Sequence, residues 1–213
     1  ASYYILDTKN EIQYNQSVNT NLDPIERQGL NIDLEYLVEE NSKVTVSVNF
    51  TEAEFTAGTL TPGTGGSSTC SYTNTTYCSN SSTWQNLMGG GTSFSLAGKS
   101  VPLVAPLTYS VNYENKFRNN IIFNLGIKYN DEKYVSNDPE NIEPKIPDYY
   151  QVDTSVNSTN GPYILTFGIN NIFDKKIYDF AVSSTFHDDN HYGLSNVYPL
   201  PERNIFFDLA YTF

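Results

Sequence analysis

The chain is 213 residues long and carries 12 Lys and Arg against 24 Asp and Glu, a formal charge of −12 that leaves no basic footprint for nucleic acid. Aromatic residues make up 14%, led by 17 Tyr and 12 Phe, whereas charged residues reach only 17% and Met occurs once, a palette of pleated surfaces rather than helices. No apolar run is long enough for a transmembrane helix, and the opening ASYYILDTKNEIQ lacks the basic and apolar regions of a signal peptide.

In chain order, the predicted elements are strands with a period of two. SYYILDTKNEIQY is the first. GLNIDLEYL sets Leu30, Ile32, Leu34 and Tyr36 against Asn31, Asp33 and Glu35. KVTVSVNFT sets Val44, Val46, Val48 and Phe50 against Thr45, Ser47, Asn49 and Thr51. PLTYSVNYEN opposes Leu107, Tyr109, Val111 and Tyr113 to Thr108, Ser110, Asn112 and Glu114. NIIFNLGIKYN opposes Ile121, Phe123, Leu125, Ile127 and Tyr129 to Asn124, Gly126, Lys128 and Asn130. YYQVDTSVN is a weaker case, with Tyr150, Val152 and Val156 against Asp153 and Ser155. GPYILTFGINN has Tyr163, Leu165, Phe167 and Ile169 opposite Thr166, Gly168 and Asn170. RNIFFDLAYTF closes the set, with Ile205, Phe207, Leu209, Tyr211 and Phe213 opposite Phe206, Asp208, Ala210 and Thr212.

The links between these strands alternate. Medium or long ones (about 16–26, 57–104, SNDPENIEPKIPD and 171–203) are interleaved with the tight turns VEENSK, NKFRNN and NSTNGP. A meander with short turns at one end and long loops at the other is the signature of an outer-membrane barrel. Tyr113, Tyr129, Tyr150 and Tyr163 at strand ends suit its aromatic girdles. The polar faces are rich in Gly, Ser, Asn and Thr, too small to fill a narrow eight-stranded bore and better suited to a wide barrel that is wet or plugged. The first strand leaves an open edge that needs a partner in lipid. A soluble sandwich, whose strands also alternate, is the competing fold.

Five stretches carry a more specific likeness: YYILDTKNEIQY followed by NLDPIERQGLNIDLEY; GKSVPLVAPLTYSVNYE; KIPDYYQVDTSV; LTFGINNIFDKKIYD; and YPLPERNIFFDLAYTF. In this order they resemble the C-terminal part of the large barrel of TonB-dependent outer-membrane receptors. The shared elements are the Arg-x-Gly return, the Pro-flanked apolar stretch leading into a strand, the Pro-x-Tyr-x-x-x-Asp strand, the NLFDKxY element and the Tyr-Pro-x-Pro-x-Arg close with a terminal Phe. Glu202 departs from that close, where the family has Gly. The resemblance implies an all-β transmembrane antiparallel barrel in which residues 1–213 supply about eight consecutive C-terminal strands of about 22, with the family's plug domain absent from this chain.

The candidate site residues fall mostly in the long links. Cys70 and Cys78 close a short Ser/Thr/Gly-rich stretch and are expected to form a disulfide in an oxidising compartment; with no third cysteine and no nearby histidine, zinc lacks its ligands. Tyr72, Tyr77 and Trp84 lie in the same link and are candidates for gripping a small ligand, or for packing against neighbouring loops. HDDNH supplies His187, Asp188, Asp189 and His191, residue types that hold divalent ions, although nothing in the sequence fixes their geometry and a solvated polar loop is the plainer reading. The acidic NDPENIEP is likewise read as a solvated loop, without the alternating oxygen ligands of a calcium loop. Phe207, Leu209, Tyr211 and Phe213 resemble the C-terminal signal read by the barrel-assembly machinery, which works by edge-to-edge strand addition. Neither GxSxG nor HExxH occurs, so no enzyme and no cofactor are expected.

The resemblance implies a Gram-negative outer-membrane receptor that imports a scarce ligand, a ferric siderophore on family frequency. Its partners would be membrane lipid and lipopolysaccharide, the rest of the barrel and plug, TonB acting through that plug, and the assembly machinery. A standalone small barrel acting as an adhesin or structural protein is the alternative.

Overall fold

The computed structural model describes residues 1–15, 18–21, 23–62, 76–77, 94–117, 120–136, 138–141, 143–183 and 195–212. In chain order its strands are β1 (Ser2–Thr8), β2 (Ile12–Asn15), β3 (Val18–Asn21), β4 (Ile25–Glu39), β5 (Ser42–Phe55), β6 (Thr59–Pro62), β7 (Thr76–Tyr77), β8 (Phe94–Ser95), β9 (Leu107–Phe117), β10 (Ile121–Asn130), β11 (Tyr149–Asn160), β12 (Tyr163–Asn170), β13 (Tyr178–Ser183), β14 (Ser195–Pro199) and β15 (Asn204–Tyr211). Eight of them form one sheet in the order β1-β4-β5-β9-β10-β11-β12-β15, and every pairing is antiparallel. The sheet is open, with β1 and β15 at its two edges. These are the eight strands expected from the alternation.

Several boundaries differ from the expectation; β4 and β5 run longer than the alternation predicts, and two further differences change the links. The first strand stops at Thr8 because Asn10 takes a left-handed conformation (φ 59°), and β2 and β3 then pair as a separate hairpin. β11 runs on to Asn160, so its link to β12 is only Gly161 and Pro162, with Gly161 at φ 58°. Short sheets that the period did not predict lie in the long links, as β6 with β7 and β8, and as the β13–β14 hairpin.

Register sorts the side chains into two faces. One continuous row runs Leu34, Val46, Val111, Ile127, Val152 across five strands, and another runs Phe123, Val156, Phe167, Phe207 across four. These residues do not form a protein core, since Phe207 is 69% and Leu34 60% exposed. A sheet whose apolar face meets no protein is built for an apolar solvent. Tyrosines cap this band near both ends. Tyr109, Tyr129 and Tyr150 are consecutive cross-strand partners near the long-link end, the first two stacked at 4.9 Å, and Tyr163 lies 5.2 Å from Tyr211 near the short-turn end.

On the opposite face, two glycines are covered by aromatic rings from the paired strand. Tyr4 faces Gly29 and Phe206 faces Gly168. A Cβ on Gly29 would lie 2.6 Å from the Tyr4 ring and 2.6 Å from the carbonyl oxygen of Phe50, and one on Gly168 would overlap the Phe206 ring. Phe206, like Tyr4, is thus a large ring on a mostly polar face, and the glycine opposite provides its room. Gly168→Ala is expected to lower stability by about 1–3 kcal/mol through overpacking, an effect that disappears in a Phe206→Ala background. Gly29→Ala keeps its cost even with Tyr4→Ala, because a ladder carbonyl cannot move aside. Thermal unfolding in detergent, read as a double-mutant cycle, checks both.

Candidate functional site

The face opposite the apolar rows is hydrogen-bonded laterally. Ser47 donates to Asp33 Oδ1 at 2.7 Å, Asn49 Nδ2 to Thr108 Oγ1 at 3.3 Å, Asn124 Nδ2 to Ser155 Oγ at 3.4 Å, and Thr166 Oγ1 to Asn157 Oδ1 at 2.8 Å. Each pair joins adjacent strands in direct register. Such a surface can pass hydrated or polar molecules along it, which the opposite face cannot.

The four long links leave from one end of the sheet, which we call the mouth, and residues quoted above for their family likeness meet there. Arg27 donates to Thr8 Oγ1 at 2.9 Å and to Glu11 Oε2 at 2.8 Å, tying the end of β1 to β4 two residues before the glycine that receives Tyr4. Residues 99–106 run alongside β5 in advance of β9, with Val101 N–H bonded to the carbonyl of Ala53 and Thr51 N–H to that of Pro106. The resulting apolar cluster of Ile25, Ala53, Phe55, Leu96 and Val101, with Val104 against it, sits on the polar-face side of β4 and β5. A second cluster joins Val135, Ile146 and Ala181, with Leu103 and Tyr178 against it, so three of the long links share it.

A polar clasp holds the outer ends of β11, β12 and β15. Asn171 is fully buried and left-handed (φ 52°). Its N–H donates to Asp153 Oδ1 at 2.8 Å, its Nδ2 to the carbonyl of Lys175 at 2.8 Å, and its Oδ1 accepts from Lys175 N–H at 3.0 Å. Gln151 also donates to Asp153 at 2.8 Å. Asp174, left-handed as well (φ 53°), accepts from the Arg203 N–H at 2.9 Å. A short polar side chain that bonds its own loop is what makes the left-handed turn tolerable for a non-glycine residue. Next to the clasp, Lys133 Nζ donates to Asp179 Oδ1 at 2.8 Å, and the Tyr149 hydroxyl donates to the same oxygen at 3.1 Å.

The acidic turn at 138–143 corrects an expectation. It is not a solvated loop, since Asp138, Glu140 and Glu143 are all buried. The cause is Asn141, left-handed at φ 59°, whose Nδ2 donates to the Ser100 carbonyl at 2.9 Å while its Oδ1 accepts from the Ser100 N–H at 2.7 Å, folding the turn onto residues 99–101. Burial pushes the Glu140 carboxyl up to about 8 against the pull of its own backbone N–H, with Asp138 and Glu143 adding to the rise and Lys99 opposing it. Asp23, partly buried beside Gly58, is raised by burial too.

Of the predicted site residues, Phe207, Leu209 and Tyr211 lie on β15, the edge strand, exposed on the apolar face. Cys70, Cys78, Tyr72, Trp84, His187, Asp188, Asp189, His191 and Phe213 lie outside the described residues, as does the side chain of Tyr77. Sequence reasoning missed Asn171, Asp153 and Glu140. An Asn immediately after a strand, followed by Asp three residues on, was a turn signal for the first; the partner across the sheet had no local signal. Asn171→Ala is expected to lower the unfolding midpoint, costing about 2–4 kcal/mol for the two side-chain hydrogen bonds to Lys175 and an unfavourable backbone. Asn171→Asp keeps the turn chemistry and the acceptor for Lys175 N–H but sets an oxygen against the Lys175 carbonyl, so it should not recover the loss in the same thermal unfolding series in detergent.

A family model, TonB dependent receptor-like β-barrel, matches residues 1–172. No curated protein sequence matches the chain. Among solved structures, the ferric citrate transporter FecA in its unliganded form is similar at 17% identity and TM-score 0.63, over 99% of this chain and 28% of that one. The ferric yersiniabactin uptake receptor FyuA from Yersinia pestis follows at 11% and 0.61, over 92% and 25%. The copper transporter OprC aligns at 10% and 0.60, over 99% and 28%. The chain thus spans about a quarter of the length of the structures it matches. With an open antiparallel wall, apolar on one face and hydrogen-bonded on the other, the chain belongs to the TonB-dependent receptor family, a family of receptors and not of enzymes, and contributes part of its β-barrel.

Proposed function

We propose that this chain is the C-terminal wall and mouth of a Gram-negative outer-membrane receptor that imports a scarce ligand, a ferric siderophore before other cargo, with TonB supplying the energy through a plug carried elsewhere. The observation that carries the reading is the two-faced wall: an apolar band with tyrosines near both ends, backed by a ladder of Asn, Ser, Thr and Asp side chains. In a closed barrel of about 22 strands that ladder lines a wet lumen around the plug, and the long links face outward, where cargo arrives. Two of the three similar structures named above are receptors or transporters for ferric complexes, which favours iron over other cargo.

In this reading Tyr72, Tyr77, Trp84 and His187 contact the cargo from the outer loops, with Asp188 and His191 beside them, and Cys70 and Cys78 pair to restrain the loop. The final strand, through Phe207, Leu209, Tyr211 and Phe213, presents the assembly signal, and the outer band meets lipid and lipopolysaccharide.

Cells lacking the gene should grow more slowly than wild type under iron limitation when a ferric siderophore is the iron source, and equally well with iron salts in excess. Equal growth on every siderophore tried would remove iron from the proposal. In the same strain Trp84→Ala should raise the half-saturating siderophore concentration by about tenfold, the effect of about 1.4 kcal/mol of lost contact, with unchanged receptor abundance. Phe213→Ala should do the opposite, reducing abundance in the outer membrane severalfold while receptors that do assemble bind normally. Thiol alkylation with and without reductant, followed by mass measurement, tests the Cys70–Cys78 pair.

A further inference from the structure

Glu140 has no use in the wall, the clasp or the proposed cargo path, yet it is completely buried at 0% exposure. Among the described residues no other residue donates a hydrogen bond to either carboxyl oxygen, and the one donor turned towards the carboxyl is its own backbone N–H, outside hydrogen-bonding geometry. An ionised carboxylate without partners is far too costly to keep out of water, so the group must be neutral or the turn must open. The charged groups facing it are Asp138 and Glu143 from its own turn and Lys99 from the segment against which the turn packs, one cation among three carboxylates. The turn is nonetheless docked. Asn141 exchanges two hydrogen bonds with Ser100, Asn141 N–H donates to the Asp138 carbonyl at 3.1 Å, and Glu143 N–H donates to Asp138 Oδ2 at 3.1 Å. Ser100 is in turn bridged to Glu54 on β5, so the docked turn ties the 130–149 link to the wall through the 55–107 link.

We propose that the 138–143 turn is a proton-dependent latch at the barrel mouth, docked on residues 99–101 while Glu140 carries a proton and released when it loses one. The sign follows from the two states. In the released turn Glu140 is in water and ionises near 4.5; in the docked turn it holds its proton to about 8. Docking is therefore strongest in acid, weakens as pH rises through this window because only the released state gives up the proton, and has lost the whole contribution above it. The latch is indifferent to cargo identity, so its test stands apart from the uptake experiment.

Hydrogen–deuterium exchange of the full-length polypeptide in detergent reads it directly. After correction for the chemical acceleration of exchange with pH, the amides of Ser100, Asn141 and Glu143 should lose protection by up to about tenfold per pH unit between about pH 5 and 8, while amides within β10 and β11 keep theirs. Glu140→Gln should flatten that slope. Glu140→Met, apolar and of similar length, should do the same if the buried amide of Gln disturbs the turn. A flat wild-type profile overturns the proposal, and so does a slope that survives in both variants. Protection restored at pH 8 by added Ca2+ and lost again with a chelator also overturns it, since the carboxylates would then be serving a metal rather than a proton.

Discussion

Hydrocarbon offers a peptide group nothing to bond to, and the wall is shaped by that fact. The six interior strands of the sheet find partners for their peptide groups on both sides, and the pairing is antiparallel throughout. Once the ladder is set, side chains have no further choice of face, because a one-residue slip would send Val46, Val111 and Ile127 to the polar side and Ser47, Ser110 and Lys128 into the apolar band. The hydrophobic effect, which in a soluble sheet would drive that face onto a core, acts here only to place it. The close approach of Gly29 to Tyr4 and of Gly168 to Phe206 has the same origin: both covered glycines sit in cross-strand register with the ring, and each ring shields backbone that a side chain would otherwise have to protect.

At the mouth the constraint lifts, and the backbone changes character. Among the described residues, the five non-glycine residues with positive φ, namely Asn10, Leu103, Asn141, Asn171 and Asp174, lie in the long links and none in a wall strand. Four of the five are Asn or Asp, whose side chains can bond the turns they create. Asn171 and Asn141 do this in parallel ways. One binds a strand carboxylate and its own loop, the other binds a neighbouring link, and both end nearly or half buried by the contacts they organise. Where lipid no longer enforces the ladder, single side-chain clasps and two small apolar clusters fix the geometry instead.

This division explains what the sequence made legible. Period-two alternation is a local signal, and it located all eight wall strands and assigned Val44 through Phe50 or Leu165 through Ile169 to the correct face. It read the first strand through to Tyr14 because nothing local distinguishes Asn10 as the residue that turns. It treated NDPENIEP as solvated because charge is also a local signal, whereas the burial of Asp138, Glu140 and Glu143 depends on Ser100, some forty residues away in the chain. The clasp was half visible. Asp153, Asp174 and Arg203 each fell in a stretch quoted for its resemblance, but their meeting around Asn171 is a tertiary fact that no window along the chain contains.

The two regimes also divide stability. Breaking a wall contact strands peptide groups in lipid, so the wall opens only with the whole sheet. Mouth contacts are exchanged for water one clasp at a time and can open locally. Local opening is therefore confined to the links rather than the strands. The mouth accordingly holds the carboxyls with the most constrained surroundings: Glu140, buried within the acidic turn, and Asp153, half-buried within hydrogen-bonding reach of Asn171 and Gln151. The two carboxyls differ in kind: Asp153 accepts from Asn171 N–H and Gln151 Nε2, whereas no other residue donates a hydrogen bond to Glu140 among the described residues. At the same end of one sheet the mouth thus has one carboxyl fixed by donors from two other residues and one buried away from any such donor.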